Sequence, residues 1–202
     1  MSLFKKTLTA LILCCLTAGV ATSQEANPPV FQNEALGFPT DVANLEASLS
    51  GRLIEFEAIF NSGKISKLMD FTPPKVMNGI LSSANVTRAQ LDVQVDQIWE
   101  MTLQFVEIKG FEIDNDSTDV KFLDNGRPYK ILPTSTSMKI KASGSEVLAK
   151  SETLALIENG AWYIVRLDEP AQVKMFRDAY PDFDSVKVME PVMVMDGKEI
   201  TP

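Results

Sequence analysis

Residues 154–170, LALIENGAWYIVRLDEP, constrain this chain more than any other stretch. Asn159-Gly160 is a strong two-residue hairpin signal, because both central positions of a type I′ turn need a positive φ. Placing the turn there fixes the register: Ile157 opposes Trp162, Leu156 opposes Tyr163, Ala155 opposes Ile164, Leu154 opposes Val165 and Thr153 opposes Arg166. Opposed residues share a face. One face is then Ile157, Trp162, Ala155 and Ile164; the other is Leu156, Tyr163, Leu154 and Val165. A sheet with one wet face alternates apolar and polar residues, and this hairpin does not. One face is expected to bury against two long helices. The other needs a second cover: a C-terminal helix, the methionine-rich tail, or a partner subunit forming a homodimer through the outer sheet face. Trp162 reads as core, since buried aromatic rings mostly pack.

Those helices are written upstream. Thr40 or Asp41 can cap a helix whose Leu45, Leu49, Leu53, Phe56 and Phe60 recur every three or four residues, forming one apolar stripe. Asn61-Ser62-Gly63 supplies a left-handed stop. A short helical segment, KISKLMDF, follows, and Pro73-Pro74 begins another through Ile80. Thr87 with Gln90 has the spacing of a capping box, and the helix behind it runs to Thr102 or Phe105. Leu91, Val95, Ile98, Trp99, Thr102 and Phe105 share its apolar face.

Beyond Phe105 the texture changes to strands separated by short turns: QFVEIKGFEI, TDVKFL, YKILPTSTSMKIKA, EVLAKSETLALI and WYIVRL. This is the pattern of an antiparallel meander. Asp168 is placed to cap a last helix, with Pro170 in its first turn and Val173, Phe176 and Tyr180 on one side. Val186, Val188, Val192 and Val194 alternate in the tail, which suits a late edge strand or extended arm, since proline is tolerated at an edge. Helices first, then a meander, then one more helix make an α+β plan. The expected organisation is a signal peptide over 1–23, an extended arm or linker over 24–40, a domain over 41–182 and a C-terminal tail over 183–202.

The signal peptide reading rests on Lys5 and Lys6, the apolar run LTALILCCLTAGVA, and the small residues Ala21 and Ser23 ahead of a cut. The run is short for a membrane span. Lipoprotein processing fits less well, because Leu13 and Cys14 precede the two cysteines where a small residue is wanted. The expected location is periplasmic or secreted. Cys14 and Cys15 are the only cysteines and the chain has no histidine. After cleavage it is expected to lack disulfides, thiolate nucleophiles, imidazole bases and His/Cys metal ligands. The formal charge of −8, deepened by two when Lys5 and Lys6 leave, argues against nucleic acid and against anionic membrane surfaces.

Carboxylates are then the abundant chemical groups. Asp92, Asp96 and Glu100 recur every four residues on the second long helix, and Asp114, Asp116 and Asp119 crowd one loop. A solvated helix face explains the first group and turn chemistry the second, since the loop lacks the glycine and distal glutamate of an EF-hand. Ser135 and Ser137 have no base at a useful spacing, and Met189, Met193 and Met195 suit packing more than copper. Asn85-Val86-Thr87 and Asn115-Asp116-Ser117 are formal glycosylation sequons. No metal or cofactor is expected.

The layout LEASLSGRLIEFEAIFNSGKISKLMDFTPPKVM, a second long helix, and a meander ending in ENGAWYIVRL resembles the nuclear-transport-factor-2-like superfamily, over about Val42 to Tyr180. The resemblance implies a cone in which a bent antiparallel sheet wraps helices around a cavity, with a short C-terminal helix and extended tail appended. Cystatin-like domains are the nearest competitor, and the helical material before Thr87 weighs against them. Enzymes of the superfamily place an acid/base carboxylate, tyrosines or a histidine in the cone. Without histidine, dehydratase-style work is excluded, and no catalytic residue carries over by position. Three readings stand: a non-catalytic exported module binding a small apolar ligand or a protein partner; an isomerase or lyase using a cavity Asp or Glu with Tyr; and an acidic inhibitor or structural protein meeting a basic partner. Trp99, Tyr129, Trp162, Tyr163 and Arg166 are the candidate pocket or interface residues.

Overall fold

A computed structural model describes residues 38, 40–167 and 170–200. The signal peptide, nearly all of the 24–40 arm and the Asp168 cap therefore lie outside the described residues. Helix α1 spans Val42–Asn61 and starts where Asp41 accepts from the Asn44 N–H at 3.3 Å. Its five stripe residues are all buried. Ser62 closes it and Gly63 turns away at φ 73°, a value that favours glycine. A 3-10 segment, Ile65–Phe71, leads to α2, Pro74–Ala84, with Pro74 in its first turn and Asn85 left-handed after its last. Helix α3, Arg88–Phe105, carries both arms of the Thr87/Gln90 capping box. Phe105, expected on the buried face, is exposed: the helix ends there and the chain passes straight into a strand.

Seven antiparallel strands follow: β1 (Val106–Ile113), β2 (Lys121–Phe122), β3 (Pro128–Ile140), β4 (Glu146–Glu158), β5 (Ala161–Arg166), β6 (Val192–Met195) and β7 (Lys198–Ile200). Helix α4, Pro170–Ala179, and a 3-10 turn, Pro181–Phe183, lie between β5 and β6. The sheet runs β1-β3-β4-β6-β7, with β2 on β3 and β5 on β4. The β4–β5 register is the one the sequence implies, including Ile157 opposite Trp162 and Thr153 opposite Arg166. Asn159 and Gly160 sit at φ 50° and 77°, as a type I′ turn requires. In β1 the register shifts between Ile108 and Gly110, so Ile108 and Phe111 both meet the packed face despite their odd spacing.

The first face of the hairpin packs on α1. Leu45, Leu49, Leu53, Phe56 and Phe60 form one cluster with Leu132, Ala155, Ile157, Trp162 and Ile164. The Trp162 indole N–H donates to Ser48 Oγ on that helix at 3.0 Å. Helix α1 supplies most of this cover; α3 reaches the cluster through Trp99 and packs mainly against the 3-10 segment and β1.

The second face is covered from within the chain. Leu154, Leu156 and Val165 join Phe176 of α4, Tyr180 just after it, Phe183, Val186, and Val76, Met77 and Ile80 of α2. Phe176 stacks on Tyr180 at 5.1 Å, and Tyr129 meets Phe183 edge-on at 5.6 Å. The start of the C-terminal tail, through Val186 and Val188, contributes to this cover, while its methionine-bearing end joins a separate cluster with Met138 and Ile140. That end is a hairpin, β6–β7, turned by Asp196 and Gly197 at φ 49° and 79°, and β6 pairs with Val147–Lys150 of β4. The tail thus widens the sheet rather than lying as an extended arm. Among the described residues no helix is long and apolar enough to cross a membrane.

Candidate functional site

Among the described residues strand β5 pairs with β4 along one edge only. Around its other edge the two hydrophobic clusters meet, and they leave a cavity of about 200 Å3 between them. Phe56 and Phe60 reach it from α1, and Ile65, Leu68 and Met69 from the 3-10 segment. Helix α3 presents Leu91, Val95, Ile98, Trp99 and Thr102, the face its periodicity marks as apolar. The sheet adds Ile108, Thr136, Ile164, Val165 and Arg166, and α4 adds Gln172, Met175 and Phe176. Apart from Thr72, each side chain arrives on a regular element, so the cavity walls are set mainly by packing rather than by loops.

The lining is apolar apart from a few groups. Thr136 is 2% exposed, and its hydroxyl has no hydrogen-bond partner in the protein. The same holds for Trp99 Nε1 and Gln172 Oε1. Leaving a buried polar group unsatisfied costs about 1–3 kcal/mol, so three on the lining of one cavity, one each from α3, the sheet and α4, are a notable concentration. Neighbouring hydroxyls are spent: Thr134 Oγ1 lies 2.8 Å from Thr153 Oγ1, and Thr102 Oγ1 donates to the Ile98 carbonyl at 2.9 Å. Among the described residues Arg166 is the one ionisable side chain on the lining.

Of the five residues named from sequence, Trp99 and Arg166 line the cavity, with Trp99 edge-on to Phe60 at 5.8 Å. Trp162 belongs to the core under α1. Tyr129 packs with the cluster on the opposite face, and Tyr163 shares the strand register of that face. The structure therefore does not bring the five together. Sequence reasoning missed Thr136 and Gln172. A signal for Thr136 was present: Leu132, Thr134, Thr136 and Met138 alternate, which turns two threonines toward the apolar face of β3.

Three of the six carboxylates singled out, Asp92, Asp96 and Asp114, have structural partners. Asp92 accepts from Arg88 Nε at 2.7 Å, and Asp96 Oδ1 accepts the Ser66 N–H at 3.0 Å, starting the 3-10 segment. Asp114 Oδ1 accepts the N–H groups of Asp116 and Ser117, both at 3.1 Å. Bonding to Ser117, with those backbone donors, holds the Asp114 carboxyl below the usual aspartate range. Among the described residues no group of three or more Asp, Glu, His or Cys is placed to hold a metal ion. In the second sequon Asn115 Nδ2 is engaged by Ser50 Oγ at 3.0 Å.

Two buried cations went unread. The Lys130 side chain, 2% exposed, pairs with Glu46 of α1 at 2.8 Å, and Arg127 pairs with Asp182 at 2.9 Å while donating to the Ile157 carbonyl. These tie α1 and the 3-10 turn after α4 to opposite faces of the sheet. On the second face the Tyr180 hydroxyl donates to the Glu158 carboxylate. Burial, reinforced by Glu158, pushes the Tyr180 phenol pKa far up, so it stays protonated. Neither residue lines the cavity. Comparison of the chain with protein-family models, with curated proteins and with solved structures finds no match.

Proposed function

We propose that this chain is an exported nuclear-transport-factor-2-like module whose cavity binds a small apolar ligand without transforming it. The export part rests on the leader-like segment before Gln24. The family part rests on element order: two long helices with a shorter pair of helical segments between them, an antiparallel meander, and a helix that returns to the sheet. The observation that carries the binding part is the cavity of about 200 Å3 at the meeting of the two cores. Interiors are normally packed without voids of this size, and keeping one open forfeits contacts on every wall. An engineered apolar cavity of about 150 Å3 holds benzene, so a one-ring or short branched molecule is the right scale.

The same lining favours binding over acid/base catalysis. It includes no Asp, Glu, Lys or Tyr among the described residues. The Tyr180–Glu158 pair, which has the composition an isomerase would use, is off the lining, with its phenol buried in the second-face cluster. The test is native mass spectrometry of the full chain purified from its own compartment. The expected spectrum contains a noncovalent adduct of roughly 100–200 Da, the scale the cavity volume sets. It should disappear in an Ile98→Trp variant that fills the cavity. A bare chain in gentle conditions, or an adduct that survives the filling, contradicts the reading.

A further inference from the structure

We infer that the ligand carries a compact neutral head able both to accept and to donate a hydrogen bond, a hydroxyl or a carboxamide, on its apolar body. This rests on the cavity being a ligand site. Three polar atoms on its lining have no partner: Trp99 Nε1, Thr136 Oγ1 and Gln172 Oε1. Their chemistry differs in a way that selects the head. An indole N–H can only donate, an amide oxygen can only accept, and a hydroxyl does either. A hydrocarbon would leave all three unmet. A carboxylate would answer the indole but set its charge against the lone pairs of the Gln172 oxygen. A hydroxyl or carboxamide carries both functions, and Thr136 takes whichever role remains.

Thr136 is the decisive residue, because it is nearly fully buried and its hydroxyl has no hydrogen-bond partner among the described residues. Two residues earlier on the same face, Thr134 spends its own on Thr153. Valine would fill the Thr136 position with the same shape and no unmet polar atom. A threonine there fits a wall that meets a polar group. Arg166, on the same lining, offers an anion a rival attraction and makes the charged probe informative.

The experiment titrates the full chain with toluene, benzyl alcohol, benzamide and benzoate, and repeats the series on Thr136→Val and Gln172→Leu. Benzyl alcohol and benzamide should bind about fivefold or more tighter than toluene, the effect of one or two well-made neutral hydrogen bonds. In both variants they should fall toward the affinity of toluene, while toluene itself binds as before, which shows the fold is intact. Tightest binding by benzoate would overturn the neutral head. Equal affinity for toluene and benzyl alcohol would mean that water alone serves the three atoms, overturning the inference while leaving the cavity as a hydrocarbon site. Failure of all four probes would remove the ligand site itself.

Discussion

The two halves of β4 obey different rules. From Glu146 to Ser151 the strand alternates, with Val147 and Ser151 buried and Glu146 and Lys150 exposed. From Thr153 to Ile157 every residue is buried. Both halves pair with β3 on one side, so the ladder is not the cause. The difference lies in what comes next. Beyond β5 the chain folds α4 and Phe183 back over the second face, whereas β6 merely continues the same sheet edge beside the first half. A strand's pattern therefore reports the number of layers stacked on it. Its neighbours within the sheet leave no such mark. The cavity opens at the double-covered end, where two cores must close around the free edge of β5.

The comparison breaks most directly on one pair of identical substitutions. Leu148 and Leu156 lie eight residues apart on the same face of β4, the first partly exposed and the second fully buried. Leu156→Ala should lower unfolding free energy by about 3 kcal/mol and Leu148→Ala by about 1, measured by urea denaturation. Equal losses would mean that α4 does not cover the second face.

On the first face the ion pair between α1 and β3 offers an asymmetric test. Glu46→Gln strands the buried Lys130 ammonium and should cost about 2–3 kcal/mol. Lys130→Met removes the buried charge and leaves a partly exposed Glu46, and should cost visibly less. The reverse order would place Lys130 in water rather than under α1.

A smaller effect probes the second cover through pH. The Tyr180 phenol titrates far above its unfolded value of about 10. Its folded pKa is raised, so its contribution is complete below pH 10 and is lost as pH rises further. Between pH 10 and 11 the native state keeps the proton and the unfolded chain does not, a slope of about 1.4 kcal/mol per pH unit from this group. Tyr180→Phe should flatten the alkaline limb by that amount and leave the limb below pH 9 with an unchanged slope. An unaltered alkaline slope would show that Tyr180 is solvated.

Much of this layering is legible in the sequence because local rules agree with it. The Asn159-Gly160 turn sets the register, the α1 stripe marks one buried face, and Thr87 with Gln90 marks a helix start. The apolar run Leu154–Ile157 announces two covers. It cannot say which segments supply them, because that depends on where the chain goes after Arg166. Lys130 and Arg127 were invisible for the same reason: each is buried by a partner 84 and 55 residues distant. The β6–β7 hairpin was readable from Asp196-Gly197 and was passed over in favour of the valine alternation. The cavity is the least legible feature. Its walls come from both clusters, and a void is a property of how they fail to meet, which no single periodicity encodes.

The proposed binding site is the void walled by α3, β5 and α4. The most direct test records intermolecular nuclear Overhauser effects between toluene and the protein with its Val, Leu and Ile methyls labelled. Contacts concentrated on Val95, Ile98 and Ile164 are the predicted result. Contacts confined to exposed methyls such as those of Ile54 and Val93, or no contacts at all, would contradict it.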